Sequence, residues 1–209
     1  MDGTMIDNTP YHFQSWQAFY KNHNMGEISS ATYYTQISGV PIIDTLKRLF
    51  PEADDAELKQ LLNEKEQYYR KIYAPFLAPI NGLENFLSAL KSAGIKMAIA
   101  SSATVEDIEF VLNKIPIRDD FEAIIDGSRV SKGKPNPQIF LKAAADLQAR
   151  PEDCVVFEDS LAGIKAANAA GMKVVGITTG HKAEQLQPSS LVIDDYSTLT
   201  VQKLADLFI

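Results

Sequence analysis

The chain has 209 residues, of which 45% are hydrophobic and 22% are charged, a composition typical of one folded domain or of a domain with an insertion. Its 20 Lys and Arg residues against 27 Asp and Glu residues give a net charge of −7 without any long basic run, which argues against nucleic acid and anionic membrane surfaces as partners. No stretch approaches the ~18 apolar residues of a membrane span and no signal peptide is visible, so we expect a cytoplasmic protein that acts on a small molecule.

The segment from residue 11 to about residue 78 has a helical pattern. DDAELKQLLNEKEQYYRKIY places one helical face at spacings of three or four, formed by Leu58, Leu61, Leu62, Lys65, Tyr68 and Ile72. Asp54 and Glu57 have the spacing of a capping box at the start of this helix. The sequence therefore predicts an all-helical first part.

After the segment LAPINGLENF, short apolar runs alternate with amphipathic helical patterns. The predicted strands are 96–101, 123–126, 154–159, 174–178 and 191–193. Fully apolar strands that alternate with helices indicate a parallel sheet covered on both faces. We therefore predict an α/β core formed by residues 1–8 and 80–209, with a helical domain inserted over residues 9–79. The single cysteine, Cys154, lies in one of the apolar runs and is expected to be a small core residue in a reducing compartment.

Polar residues follow several of the predicted strands. They are Ser101 and Ser102, the run Glu158, Asp159 and Ser160, Lys134 in the loop before a predicted helix, and the turn formed by Asp2, Gly3 and Thr4. Ligands of open α/β sheets gather at the carboxyl ends of the strands, so we expect these residues at one edge. A carboxylate pair can hold Mg²⁺ together with a substrate phosphoryl oxygen, and a lysine and a hydroxyl can neutralise and orient the phosphoryl group.

The order of these motifs resembles the haloacid dehalogenase superfamily, specifically its β-phosphoglucomutase-like subgroup with a helical cap. The matching positions are Asp-Gly-Thr at 2–4, Ser101, Lys134-Pro135, and Glu158-Asp159-Ser160 followed by AGIKAANAAGM; YHFQSW at 11–16 is similar to the cap entry. The resemblance covers nearly the whole chain. It implies a Rossmannoid parallel-sheet core with an inserted cap, and a phosphatase or phosphomutase that uses Mg²⁺ and an aspartyl-phosphate intermediate.

The resemblance also places the family's first motif, Asp-x-Asp-Gly-Thr, at the start of the chain. Met1 falls on the variable position and Asp2 on the second aspartate, so the nucleophile is expected immediately before Met1, at the end of an apolar first core strand that this sequence does not include. Two accounts stay open. Either the natural chain begins upstream of Met1, or this is a relative that has lost its chemistry and rebuilt its sheet.

The resemblance implies a role for each matching residue. Asp2 is the expected general acid and base, although Asp-Gly is also a common turn dipeptide. The expected metal ligands are Asp2, Glu158 and Asp159. The expected phosphate- and substrate-binding residues are Gly3, Thr4, His12, Ser101, Ser102 and Lys134, with Ser101 and Lys134 acting in catalysis. His12 lies at the expected cap hinge, where simple hinge hydrogen bonding is the alternative.

Departures from the subgroup's pattern bear on the reaction. Aligning on Gly39 places Ile42 where β-phosphoglucomutases carry a phosphate-gripping arginine, and Val40 stands where many relatives have another arginine. A mutase needs a second phosphate site, whereas a hydrolase needs one. We therefore expect a phosphatase of a small phosphorylated metabolite. We expect it to be a monomer or weak homodimer without a nucleic-acid or membrane partner. A phosphomutase and a non-catalytic phosphate-binding relative are the alternatives.

Overall fold

A computed structural model describes residues 1–38 and 40–209. The chain divides into two compact units, one formed by Met1–Asp7 and Ala78–Ile209 and the other by Asn8–Leu77. Gly39, on which the alignment of the expected arginine depends, lies outside the described residues. In the part of the chain that the structure covers, none of the helices combines the length and the apolarity needed to cross a membrane.

The unit Asn8–Leu77 is helical, as predicted. Its helices are α1 (Thr9–Asn22), α2 (Ser30–Gln36), α3 (Ile42–Leu49) and α4 (Asp55–Tyr73). Helix α1 packs along α4, and a buried cluster that includes Trp16, Phe19, Tyr33, Leu46 and Leu58 forms the core. The predicted capping box at the start of α4 is present. This unit therefore has an apolar core of its own.

The unit formed by Met1–Asp7 and Ala78–Ile209 alternates helices with short strands. Its elements are α5 (Leu83–Ser92), β1 (Ala98–Ala100), α6 (Val105–Lys114), β2 (Ala123–Ile125), α7 (Gln138–Asp146), β3 (Val155–Glu158), α8 (Leu161–Ala169), β4 (Lys173–Ile177), β5 (Leu191–Ile193) and α9 (Val201–Ala205). Short 3₁₀ turns lie between several of them. Each strand falls on a predicted apolar run, so the predicted α/β class is confirmed.

The described strands form two parallel sheets rather than one. β1 pairs with β2 in the register Ala98 to Ala123, and β3, β4 and β5 form a second sheet in the order β3-β4-β5. Because β1 pairs with β2 alone and β3 with β4 alone within the described chain, each sheet ends at an unpaired edge. The expected continuous sheet is therefore divided between β1 and β3.

Candidate active site

An acidic pair lies at the carboxyl end of β3. Glu158 is the last residue of the strand, Asp159 follows it, and Ser160 caps helix α8 by accepting a hydrogen bond from the Gly163 amide at 3.0 Å. These residues therefore lie at the carboxyl edge of the sheet, where helix α8 begins. The Glu158 side chain is only 6% exposed. The structure thus places the acidic pair at a strand end, where the sequence predicted it.

Lys134 pairs with Glu158. The Lys134 ammonium donates to Glu158 Oε1 and also lies 4.8 Å from the centre of the Phe140 ring. The other carboxylate oxygen, Oε2, accepts hydrogen bonds from the Ser160 amide at 3.1 Å and the Ser160 hydroxyl at 2.9 Å. Burial raises the pKa of Glu158, but the Lys134 charge and these hydrogen bonds outweigh burial, so its pKa is lowered from the usual value. Glu158 is therefore held ionised.

Asp159 packs against the turn at the start of the chain. Gly3 has a φ of +62°, and a β-carbon on Gly3 would overlap the Asp159 carboxyl group. The Thr4 hydroxyl lies 3.5 Å from Asp159 Oδ1 and 3.2 Å from the Asp2 carbonyl. The Thr4 carbonyl in turn accepts a hydrogen bond from the Tyr196 hydroxyl at 2.8 Å. The structure therefore brings Gly3 and Thr4 to the acidic pair, as expected from the sequence.

The pKa of Asp159 reflects this crowding. Burial, followed by the charge of the neighbouring Glu158, raises the pKa of Asp159 to about 7. Two carboxylates in one buried place favour a bound cation, because a divalent ion would offset both the burial of the Asp159 charge and its repulsion with Glu158.

The chemistry of these oxygens fits Mg²⁺, although not as a set of three protein carboxylates. Among the described residues, no three His, Cys, Asp or Glu side chains come together as a metal site. The assignment of Asp2, Glu158 and Asp159 as metal ligands stays a prediction, and in the structure both Glu158 oxygens bind Lys134 and Ser160. Asp159 is the side chain best placed to coordinate directly, since Mg²⁺ needs only one or two carboxylates besides waters and substrate oxygens.

Two residues after β4 also contact this place, and the sequence analysis missed them. The Thr179 hydroxyl donates to the Gly3 carbonyl, and His181 Nδ1 lies 3.0 Å from the Asp159 carbonyl. A β-carbon on Gly180 would lie 3.2 Å from Asp159 Oδ2, so this loop approaches the carboxylate closely. The rule that ligand-binding residues follow parallel strands applies to β4 as well and was the available signal.

The predicted serines lie at the end of the other sheet. Ser101 follows β1, is 3% exposed, and accepts a hydrogen bond from the Ala103 amide at 3.2 Å. Its own amide extends the ladder to the Ile125 carbonyl at 2.9 Å. Ser102 is exposed, and its carbonyl lies against Gly127. Both serines thus occupy the expected strand end.

His12 belongs to the helical unit. Its ring stacks on Tyr69 with centroids 4.1 Å apart, Nδ1 lies 3.2 Å from the Lys65 ammonium, and Nε2 lies 3.2 Å from the Asn8 amide nitrogen. Burial and the Lys65 charge lower the pKa of His12 well below 6.5, so the ring is neutral near pH 7. These contacts hold His12 beside Asn8, where the helical unit begins.

Comparisons with known proteins agree with this geometry. Residues 1–177 match the family model of the haloacid dehalogenase-like hydrolases. The chain is 32% identical to a β-phosphoglucomutase of Bacillus subtilis (strain 168), covering 98% of this chain and 91% of that protein. It is 29% identical to a phosphorylated carbohydrates phosphatase of Thermotoga maritima, covering 83% and 80%. The crystal structure of a HAD hydrolase of family IA, variant 3, from Entamoeba histolytica superposes with a TM-score of 0.91 at 27% identity, covering 100% of this chain and 96% of that one.

Proposed function

The chain belongs to the haloacid dehalogenase-like hydrolases, and on that premise we propose that it is a Mg²⁺-dependent phosphatase of a small phosphorylated metabolite. One observation carries the proposal: the buried Lys134–Glu158 pair and Asp159 meet the Gly3 turn at the carboxyl end of β3. A cation, a carboxylate able to bind a metal ion and closely packed backbone suit the binding of a phosphoryl group.

Each residue of the site has a separate role in this proposal. Lys134 and Ser101 orient and neutralise the phosphoryl oxygens, and Gly3 and Thr4 shape the turn beside them. Asp159 would hold Mg²⁺, while Glu158 fixes Lys134 and the start of α8. The bound ion supplies charge neutralisation of the transferring phosphoryl group. Asp2 donates a proton to the leaving alcohol and afterwards takes one from the attacking water.

The nucleophile in this proposal is an aspartate directly before Met1, the position that the family's first motif gives it. Its carboxylate oxygen forms the bond to phosphorus as the ester oxygen departs, leaving an aspartyl phosphate. Water, deprotonated by Asp2, then releases inorganic phosphate and restores the carboxylate. The chain from Met1 onward carries the remaining groups of this scheme.

A sugar phosphate is the substrate class that the relatives favour. The two relatives described above are a β-phosphoglucomutase and a phosphorylated carbohydrates phosphatase, both of which act on phosphorylated sugars by name. We propose that the protein acts in the cytoplasm on such a metabolite as a monomer or weak homodimer, without a nucleic-acid or membrane partner.

A phosphomutase is the second candidate, because the Bacillus subtilis relative spans nearly the whole chain. Against it, Ile42 packs on the apolar cluster of the helical unit, so it offers no charge for a second phosphate. Arg48, on the same helix α3, already donates to the Gln36 carbonyl at 2.7 Å. Supplying β-glucose 1-phosphate with β-glucose 1,6-bisphosphate tests the alternative: glucose 6-phosphate formed faster than inorganic phosphate would favour the mutase.

The proposal is tested with a chain that carries an aspartate directly before Met1. We expect Mg²⁺-dependent hydrolysis of p-nitrophenyl phosphate, and Asp2→Asn should lower kcat by about 10²- to 10⁴-fold because the base that deprotonates the attacking water is lost. Asp7→Asn is the matched control, since Asp7 is exposed five residues further along. Absence of turnover over a panel of phosphate esters would instead leave the third reading, a phosphate-binding relative without catalysis.

A further inference from the structure

Two side-chain hydroxyls from distant parts of the chain bind the backbone of the turn formed by residues 2–4. The Thr179 hydroxyl donates to the Gly3 carbonyl, and the Tyr196 hydroxyl donates to the Thr4 carbonyl at 2.8 Å. The partners are 176 and 192 positions apart in the sequence. Because the two carbonyls are consecutive, the two hydroxyls hold the planar peptide groups on both sides of the Thr4 α-carbon.

Backbone hydrogen bonds give this segment its shape. The amides of Thr4 and Met5 donate to the Met1 carbonyl at 3.1 and 2.7 Å, which closes the turn. The Met5 carbonyl, directly after the turn, accepts a hydrogen bond from the Ile80 amide at 2.9 Å. Bonds within the turn do not set its orientation, because both partners move with it. The orientation of the Gly3 and Thr4 carbonyls therefore depends on the two distant hydroxyls.

Tyr196 is itself fixed by the packing of its ring. It is 4% exposed, and its ring centroid lies 5.6 Å from those of both Phe86 and Phe157. Phe86 belongs to α5 and Phe157 to β3, and the Tyr196 amide donates to the Asn81 carbonyl at 3.0 Å. These contacts hold the hydroxyl in place relative to β3, the strand that ends at Glu158. Replacing Tyr196 by Phe keeps the ring and removes the hydrogen bond to the turn.

We propose that Tyr196 and Thr179 are positioning residues, whose hydroxyls hold the turn in the orientation from which the Asp2 carboxylate exchanges protons. The inference rests on the proposed function in one respect, since that function makes Asp2 the general acid and base. Proton transfer requires hydrogen-bond geometry, so a turn that rotates slows the reaction even when its side chains are intact. Neither hydroxyl binds the phosphoryl group, which Lys134 and Ser101 orient. Loss of either hydroxyl therefore lowers the rate of turnover more than the affinity for phosphate.

Four single variants test the inference, two that each remove one hydroxyl from the turn and two matched controls. They are Tyr196→Phe, Thr179→Val, Tyr20→Phe and Thr178→Val. The Thr178 hydroxyl is next to that of Thr179 in the sequence but donates to Asp194 at 2.6 Å, so its loss leaves the turn intact. Tyr20 is a half-buried tyrosine of the helical unit.

Two kinds of measurement separate positioning from stability and from binding. Hydrogen exchange of the Thr4 and Met5 amides reports opening of the turn, whereas exchange in β4 reports opening of the whole unit. For kinetics, each variant is made in the chain that carries an aspartate directly before Met1. The turnover of p-nitrophenyl phosphate and the inhibition constant of inorganic phosphate are then measured at saturating Mg²⁺.

We expect Tyr196→Phe and Thr179→Val to speed exchange of the turn amides about tenfold, to lower kcat about 10- to 100-fold, and to change the inhibition constant less than about twofold. Exchange in β4 stays at the parent rate, and both controls match the parent. Unchanged exchange of the turn, equal acceleration in β4, or a kcat loss no greater than that of the controls would overturn the inference. A parent without turnover would refute the proposed function alone, since faster exchange confined to the turn would still support the two hydroxyls as the groups that hold it.

Discussion

At the scale of single residues, Gly3 shows how the lack of a side chain positions a functional group. Its φ of +62° and its contact with the Asp159 carboxyl both require glycine. Gly94 is a matched control in the same unit, since it has a φ of +70° with nothing within 4 Å of an added β-carbon. The two positions therefore share a left-handed backbone conformation and differ in the contact with Asp159.

We expect Gly94→Ala to lower the free energy of unfolding by about 1 kcal/mol through its positive φ, and Gly3→Ala to lower it by more, because the added β-carbon also overlaps the Asp159 carboxyl group; urea unfolding measures both. Only Gly3→Ala should weaken Mg²⁺ binding, by about 10- to 100-fold in calorimetry, because the Asp159 carboxylate must move. Similar Mg²⁺ affinity in the two variants would show that the approach of Gly3 to Asp159 is not needed to hold the ion.

Individual site residues were predictable where sequence order reflects strand ends. The position of Asp159 after β3 and that of Lys134 in the loop before α7 could be predicted, because the apolar pattern marks the strand and the helix. The direct pairing of Lys134 with Glu158 could not, since it joins residues 24 positions apart through the packing of α7 and β3. Thr179 was missed because Thr178, Thr179 and Gly180, directly after β4, carry no charge.

At the scale of elements, helix α4 has the strongest local signal in the sequence. Asp54 accepts hydrogen bonds from the amides of Ala56 and Glu57, both at 2.9 Å, and the Glu57 carboxylate accepts one from the Asp54 amide at 2.9 Å. We expect Asp54→Ala to lower the free energy of unfolding by about 1 kcal/mol, followed by the fluorescence of Trp16, the only tryptophan, which lies in the same unit.

The control for this cap is Asp55→Ala, because Asp55 is an exposed carboxylate in the same first turn. Both substitutions remove one charge from the helix N-terminus, so the excess loss in Asp54→Ala measures the hydrogen bonds of the cap. An equal loss in the two variants would assign the effect to charge alone.

The predicted run for β5 has the same bounds as the strand and the run for β4 is shifted by one residue, whereas the runs for β1, β2 and β3 are longer than the strands. The run 96–101 contains β1 at Ala98–Ala100, and the run 154–159 contains β3 at Val155–Glu158. Apolar patterning reports burial, whereas a strand residue also needs a partner in the ladder. The unpaired edges of β1 and β3 therefore fall outside what an apolar run can indicate.

At the scale of the whole molecule, the sequence predicted the α/β class because the change from a helical to a strand-helix pattern is visible along the chain. The sequence was a weaker guide to which face of helix α4 is buried. Tyr69 and Tyr73 are buried while Tyr68 and Ile72 are half-buried, and Lys65 and Glu66 form a buried ion pair at 3.1 Å. Charged side chains inside a core interrupt apolar periodicity, so only tertiary contacts reveal that face.

The acidic pair links global stability to Mg²⁺. A folded-state pKa of about 7 for Asp159, raised from 3.8, means that the native state holds a proton that the unfolded chain has released. Stability therefore falls as the pH rises from about 4 to about 7, and above that range the ionised carboxylate destabilises the metal-free fold. Bound Mg²⁺ should reverse this, by about 2.7 kcal/mol at a concentration 100 times its Kd.

Asp159→Asn should consequently change the sign of its effect with the metal. At pH 8 without Mg²⁺ we expect the variant to unfold at a temperature equal to or above that of the parent chain, because the buried charge and its repulsion with Glu158 are gone. With saturating Mg²⁺ the parent should be the more stable of the two, since the variant lacks the charged ligand.

Asp119→Asn, at an exposed position, serves as the control in calorimetric scans and should follow the parent under both conditions. If Mg²⁺ stabilised Asp159→Asn as much as the parent, the ion would have to bind elsewhere, and the role assigned to Asp159 would be wrong.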